Sequence, residues 1–86
     1  MIFTVEIKGD PKRDAEVEVY LDDEALQSLI KRLELLKKNG GHTHFMTPGW
    51  AGNDLTEEKM VTSNDLINHL RITVVPTPTR PPTSQP

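Results

Sequence analysis

The chain contains no cysteine, which excludes disulfides, thiolate metal sites and a cysteine nucleophile and leaves the redox compartment open. Aromatic residues are scarce, with Phe3, Tyr20, Phe45 and Trp50 the only ones. There is no excess of basic residues either, since 13 Asp and Glu outnumber 10 Lys and Arg to give a formal charge of −3. Binding a phosphate backbone needs clustered Lys and Arg interleaved with stacking aromatics, so nucleic acid is not the expected partner and a basic protein suits the chain better. Nowhere do roughly 18 apolar residues run together, as a membrane span would need. No charged leader followed by an apolar stretch opens the sequence, so the expectation is a cytoplasmic protein with no membrane partner. Phosphate loop, nucleophile elbow and dinucleotide fingerprint are all missing, and Gly40 and Gly41 follow a helical pattern instead of opening one. The expected reading is a non-catalytic protein without a cofactor.

What is present fits one small domain. Residues 76–86, PTPTRPPTSQP, hold five of the seven prolines and no large apolar side chain. Such a segment cannot offset the entropy of ordering and is read as a disordered tail. Residues 1–75 are then the folding unit, one charge more negative than the whole because Arg80 is the only charged residue beyond them. A core of that size supplies only a few kcal/mol, and partners often add the rest.

Phe3, Val5 and Ile7 alternate with Thr4, Glu6 and Lys8, the period of a strand with one wet face. Gly9, Asp10 and Pro11 break the pattern and residues 16–21, EVEVYL, resume it, which reads as a β-hairpin. Asp22, Asp23 and Glu24 place capping oxygens and negative charge at a helix start, and Leu26, Leu29, Ile30, Leu33 and Leu36 follow at helical spacing as the stripe expected to lie on the sheet. Lys37 and Lys38 suit the end of the dipole, and Asn39, Gly40 and Gly41 supply the stop. Residues 42–47 form a β-like run ended by Pro48 and Gly49. An irregular connection follows over 48–65, with a short strand expected around Met60 to Thr62. The last strand spans Asp65 to Val75, with Leu66, Leu70, Ile72 and Val74 on one face, Asn68 as a polar intruder, and Ile67, His69, Arg71 and Thr73 opposite. The predicted fold is α+β and two-layered, ββαββ, with a mainly antiparallel four-stranded sheet covered on one face by a single helix.

Three histidines invite a chemical reading. His42 and His44 share a strand face, and a neighbouring strand would bring His69 alongside as a third nitrogen ligand of a hydrolytic metal site. Two histidines two apart also arise on any polar sheet face, and no acid sits at a characteristic metal spacing, so no metal is assigned. The acids Asp54, Glu57, Glu58 and Asp65 are read as a solvated loop instead of a catalytic pair. Trp50, between Gly49 and Ala51-Gly52, either anchors a partner or folds back to cap a core short of aromatics. The hairpin edge or an exposed sheet face also offers a route to a homodimer.

The run HTHFMTPGW at residues 42–50, with Gly52, Leu55 and INHLRI at 67–72, resembles immunity protein family 32 of bacterial polymorphic toxin systems. The motif residues are Met46, Thr47, Pro48, Trp50, Asn68, His69, Leu70 and Arg71. The resemblance implies a cytoplasmic antidote, encoded near a toxin, that neutralises it by occlusion and not by catalysis. It makes Trp50, Met46, Thr47, Pro48, His42, His44, His69 and Arg71 the candidate contacts for a toxin domain. The Thr/Pro tail departs from that pattern.

Overall fold

In the computed structural model, which describes residues 1–10 and 13–76, the first alternating run forms β1 (Phe3–Lys8) and the second β2 (Glu16–Leu21). They pair antiparallel in unbroken register from Phe3 opposite Leu21 to Lys8 opposite Glu16, so the two apolar rows share one face as expected. The helix α1 (Asp23–Asn39) starts where capping oxygens are available, with Asp22 Oδ1 accepting the Ala25 N–H at 2.9 Å. The second oxygen of Asp22 accepts the Ile2 N–H at 2.7 Å, tying the helix start to the first strand. Gly40 (φ 72°) ends the helix, its N–H bonding the Leu36 carbonyl, a positive-φ conformation that glycine adopts without a Cβ clash. Then come β3 (His42–Met46), a 3-10 turn at Pro48–Trp50, β4 (Asp65–Ile67) and β5 (His69–Thr73). The expected disordered tail lies, apart from Pro76, outside the described residues.

The single four-stranded sheet of the sequence reading is replaced by two antiparallel sheets, one of three strands in the order β2-β1-β4 and one pairing β3 with β5. Asn68 is the cause. It stands between β4 and β5, its carbonyl accepting the Thr47 N–H at 3.0 Å and its side chain bonding Thr47 Oγ1 at 2.7 Å. The interruption shifts the alternation by one residue. Ile67 pairs with Val5 and packs on the core, and three residues later Leu70 pairs with buried Phe45 and does the same. Leu66, expected inward, lies opposite Glu6 on the other face, and Val74 is exposed.

The apolar stripe of α1 is likewise rotated from expectation. Ala25, Leu29 and Leu36 turn inward, in one helical row with Arg32, whereas Leu26, Ile30 and Leu33 are 40–47% exposed. Phe3, Val5, Ala25, Phe45 and Leu55 make the core, with the Phe3 and Phe45 rings tilted against each other at 5.2 Å.

The expected wet face of β1 is covered. Thr4 and Glu6 are fully buried beneath the chain from Thr56 to Asn64, which forms no strand at Met60 to Thr62. Thr56 takes the place of a neighbouring strand, donating its N–H to the Phe3 carbonyl at 2.7 Å and accepting the Phe3 N–H on its hydroxyl at 2.9 Å. Thr4 Oγ1 donates to the Glu58 carbonyl. The Glu6 carboxylate accepts the Met60 N–H at 2.7 Å, the Val61 N–H at 3.4 Å and Asn64 Nδ2 at 2.8 Å. Its oxygens thus satisfy donors that a loop buried against a sheet would otherwise leave unpaired. The three-stranded sheet is sandwiched between α1 and an irregular segment, so the single covering layer of the sequence reading becomes two.

Candidate functional site

Register decides which side chains of β3 and β5 share a face. His42 lies opposite Thr73, His44 opposite Arg71 and Met46 opposite His69. These six point away from the face on which Phe45, Leu70 and Ile72 pack into the core. The three histidines therefore come together. His44 Nδ1 and His69 Nε2 are 2.7 Å apart, the His42 ring meets His44 edge-on at 4.8 Å, and the His69 ring lies 4.9 Å from His44. At that separation one ring nitrogen donates and the other accepts, so the pair accommodates one N–H between the two atoms and not two. Burial first, then the neighbouring charges of His42, His69 and Arg71, hold the His44 imidazole below its ordinary pKa.

Beside this face the chain turns sharply. Thr47 is fully buried and bonded to Asn68, so this motif residue fixes the turn and is turned away from the surface. Pro48 begins the 3-10 turn, Ala51 closes it in the left-handed conformation (φ 63°), and the Gly52 N–H returns to the Thr47 carbonyl. Gly52 passes so close to β3 that a Cβ there would come within 2.5 Å of Met46. The Asp54 and Leu55 N–H groups then both bond the Met46 carbonyl, and Gly49 N–H bonds Glu57 Oε2 at 2.8 Å. Trp50 projects from this pinned turn, 56% exposed and with its ring centroid 6.0 Å from that of His69. Of the two readings of Trp50, the core cap is not what the structure shows. Pro48, Trp50, His42 and Arg71 are exposed, with Met46, His44 and His69 half-buried between them.

The sequence reading missed Arg32. Its guanidinium stacks over the Phe45 ring at 4.7 Å and donates to Thr43 Oγ1 at 2.7 Å, the His44 carbonyl at 3.3 Å and Asp54 Oδ1 at 2.9 Å. The available signal was its place in the Ala25, Leu29, Leu36 row, where a long cationic side chain must either snorkel out or find partners. Here it positions the His face from behind, joining α1, β3 and the loop after Trp50.

The nitrogens His44 and His69 turn toward each other are spent on a mutual hydrogen bond, and among the described residues no group of three or more His, Asp or Glu is disposed to hold a metal ion. Asp54 is committed to Arg32 and Glu57 to the Gly49 N–H, so these two loop acids form structural contacts. Among the described residues no helix is long and apolar enough to cross a membrane.

No curated protein and no solved structure matches the chain. A family model described as immunity protein 32 matches residues 16–70, a span that runs from β2 through α1, the His-bearing strand and the Trp50 turn to Leu70. Because that match covers more than half of the 86 residues, the chain belongs to the immunity protein 32 family.

Proposed function

We propose that this protein is a non-catalytic antidote of a bacterial polymorphic toxin system, acting in the cytoplasm by binding a toxin domain and occluding it. The observation that carries the reading beyond family membership is Trp50, a large aromatic held 56% exposed on a turn bonded at Thr47, Gly49 and Gly52. A rigid exposed aromatic gives up large area at low entropic cost, which is the character of an interface hot spot. Pro48, Met46, His42, His44, His69 and Arg71 surround it and complete the proposed contact face, with Thr47 supporting it from beneath. The chain's net negative charge favours approach of a cationic toxin surface.

The test pairs the chain with the toxin domain encoded beside its gene. Co-expression is expected to restore growth, and Trp50→Ala to weaken the purified complex by about 2 kcal/mol, roughly thirtyfold in Kd, with an unchanged circular dichroism spectrum. Unchanged affinity in a folded Trp50→Ala protein would remove the Trp50 face from the proposal. Failure of the wild-type chain to bind or protect would remove the antidote reading itself.

A further inference from the structure

A second surface lies on the other side of the molecule. The strand β2 is the outer member of the three-stranded sheet, and among the described residues no strand lies against its free edge. The edge is guarded only by the carboxylates of Glu16 and Glu18. It is six residues long and in continuous register with β1, without proline, glycine, lysine or a bulge. Val17 and Val19 on it are 60% and 43% exposed.

The helix adds to this patch. Leu26, Ile30 and Leu33, spaced i, i+4, i+7, form one flank of α1 about 100° of helical rotation from the buried row. Leu35 lies on the opposite flank, where with Leu36 it lines a depression against His42 and Thr43 of β3. Leu55 bonds the Met46 carbonyl of β3 while Thr56 bonds the Phe3 carbonyl of β1, so β3 lies on the side of β1 away from β2, and the Leu26, Ile30, Leu33 flank, opposite the one that lines the β3 depression, is on the β2 side. Large apolar side chains of strand and helix thus share one corner.

We infer that this corner is a homodimer interface in which β2 pairs antiparallel with β2 of a second copy about a two-fold axis at Val19, and α1 packs against its counterpart through Leu26, Ile30 and Leu33. The pattern selects both occupant and register. A second copy presents the same strand edge and the same helix flank, and an isologous contact sets each against its counterpart. Centring on Val19 sets Val19 against Val19, Val17 against Leu21 and Glu18 against the Tyr20 phenol. Centring on Glu18 would set two carboxylates face to face, and centring on Tyr20 would set Glu18 against Asp22, both unfavourable pairs. The Val19 register leaves only the two symmetry-related Glu16–Asp22 pairs like-charged, one at each end of the ladder. A dimer also adds apolar burial to a small core, and the proposal stands apart from the toxin reading because it uses a different face.

The chain has no cysteine, so Val19→Cys introduces a single thiol that lies against its own copy in this register. Under mild oxidation Val19→Cys is expected to form a disulfide-linked dimer with retained secondary structure, many times faster than Lys38→Cys, a control on the exposed end of α1. By light scattering the full wild-type chain is expected to be dimeric, and Ile30→Glu, at a 47% exposed position, to halve the mass without loss of helicity. A wild-type chain that stays monomeric up to roughly 300 µM overturns the proposal, as does a dimer that Ile30→Glu leaves intact or equal oxidation of the two cysteine variants. If Ile30→Glu does not fold, the comparison of the two cysteine variants decides alone. Protection of β2 amides by the toxin in an otherwise monomeric protein would assign the corner to the toxin and refute self-pairing.

Discussion

Arg32 joins three segments that share no continuous backbone ladder: α1, β3 and the loop that follows Trp50. Its side chain is one-third exposed, so the ion pair with Asp54 alone would contribute little. The weight lies in the fork of donors and the stack on Phe45. Arg32→Ala is expected to cost about 2–3 kcal/mol in urea unfolding, because Thr43 and Asp54 lose their partner while half-buried. Arg32→Lys should recover less than half of that, since an ammonium cannot span the same acceptors. Tyr20 gives a spectroscopic reading of the opposite edge. Its hydroxyl donates to Glu18 at 2.8 Å, and this bond, followed by burial and the charges of Glu18, Glu6 and Glu16, pushes the phenol up to about 12. As the only tyrosine, it is expected to ionise in ultraviolet titration well above the ordinary pH of about 10, and Glu18→Gln should lower its midpoint.

At the scale of elements, β1 is held on one face by apolar packing and on the other by hydrogen bonds to an irregular segment. Glu6 is the centre of the second set, so Glu6→Ala should leave the Met60, Val61 and Asn64 donors unmatched and cost about 3 kcal/mol. Hydrogen exchange would register the loss first at Met60 and Val61, ahead of the β1–β2 ladder. The β3–β5 pair should respond to pH. The folded His44 pKa is depressed, so the neutral imidazole is favoured by folding, and the associated stability is present above the unfolded value of about 6.5 and lost as pH falls through the lower folded value. Wild-type protein is therefore expected to lose more melting temperature between pH 7 and pH 5 than His44→Gln does. Equal losses would show that His44 does not contribute to the acid sensitivity.

For the whole molecule, charge and shape divide the surface into chemically different regions. The face around Trp50 combines imidazoles, Arg71 and an exposed aromatic, while β2 and the adjacent flank of α1 expose Val17, Val19, Leu26, Ile30 and Leu33. If a cationic toxin is steered by the net negative charge, its association rate should fall several-fold between about 50 and 300 mM salt while dissociation changes less. Stopped-flow measurement separates the two, and a salt-independent association rate would argue that contact and not steering governs the encounter.

The positions of the first two strands, the helix with its cap and stop, and the third strand were legible from local chemistry. Alternation, capping oxygens and glycine at a positive-φ stop each act over a few residues, so their outcome needs no distant partner. The HTHFMTPGW motif was legible for the same reason, as was the grouping of His42 with His44. Local pattern did not decide what each face meets. Asn68 reads as one polar residue in an apolar strand, yet its bonds to Thr47 divide the sheet and reverse the alternation, because the partner lies 21 residues away. Glu6 reads as a solvated residue, but a loop more than fifty residues later buries it. Leu26, Ile30 and Leu33 read as core, yet Arg32 takes the inward place. The rotation of α1 that exchanges these roles is set by Phe45 and Asp54, which only the closed tertiary structure brings beneath Arg32.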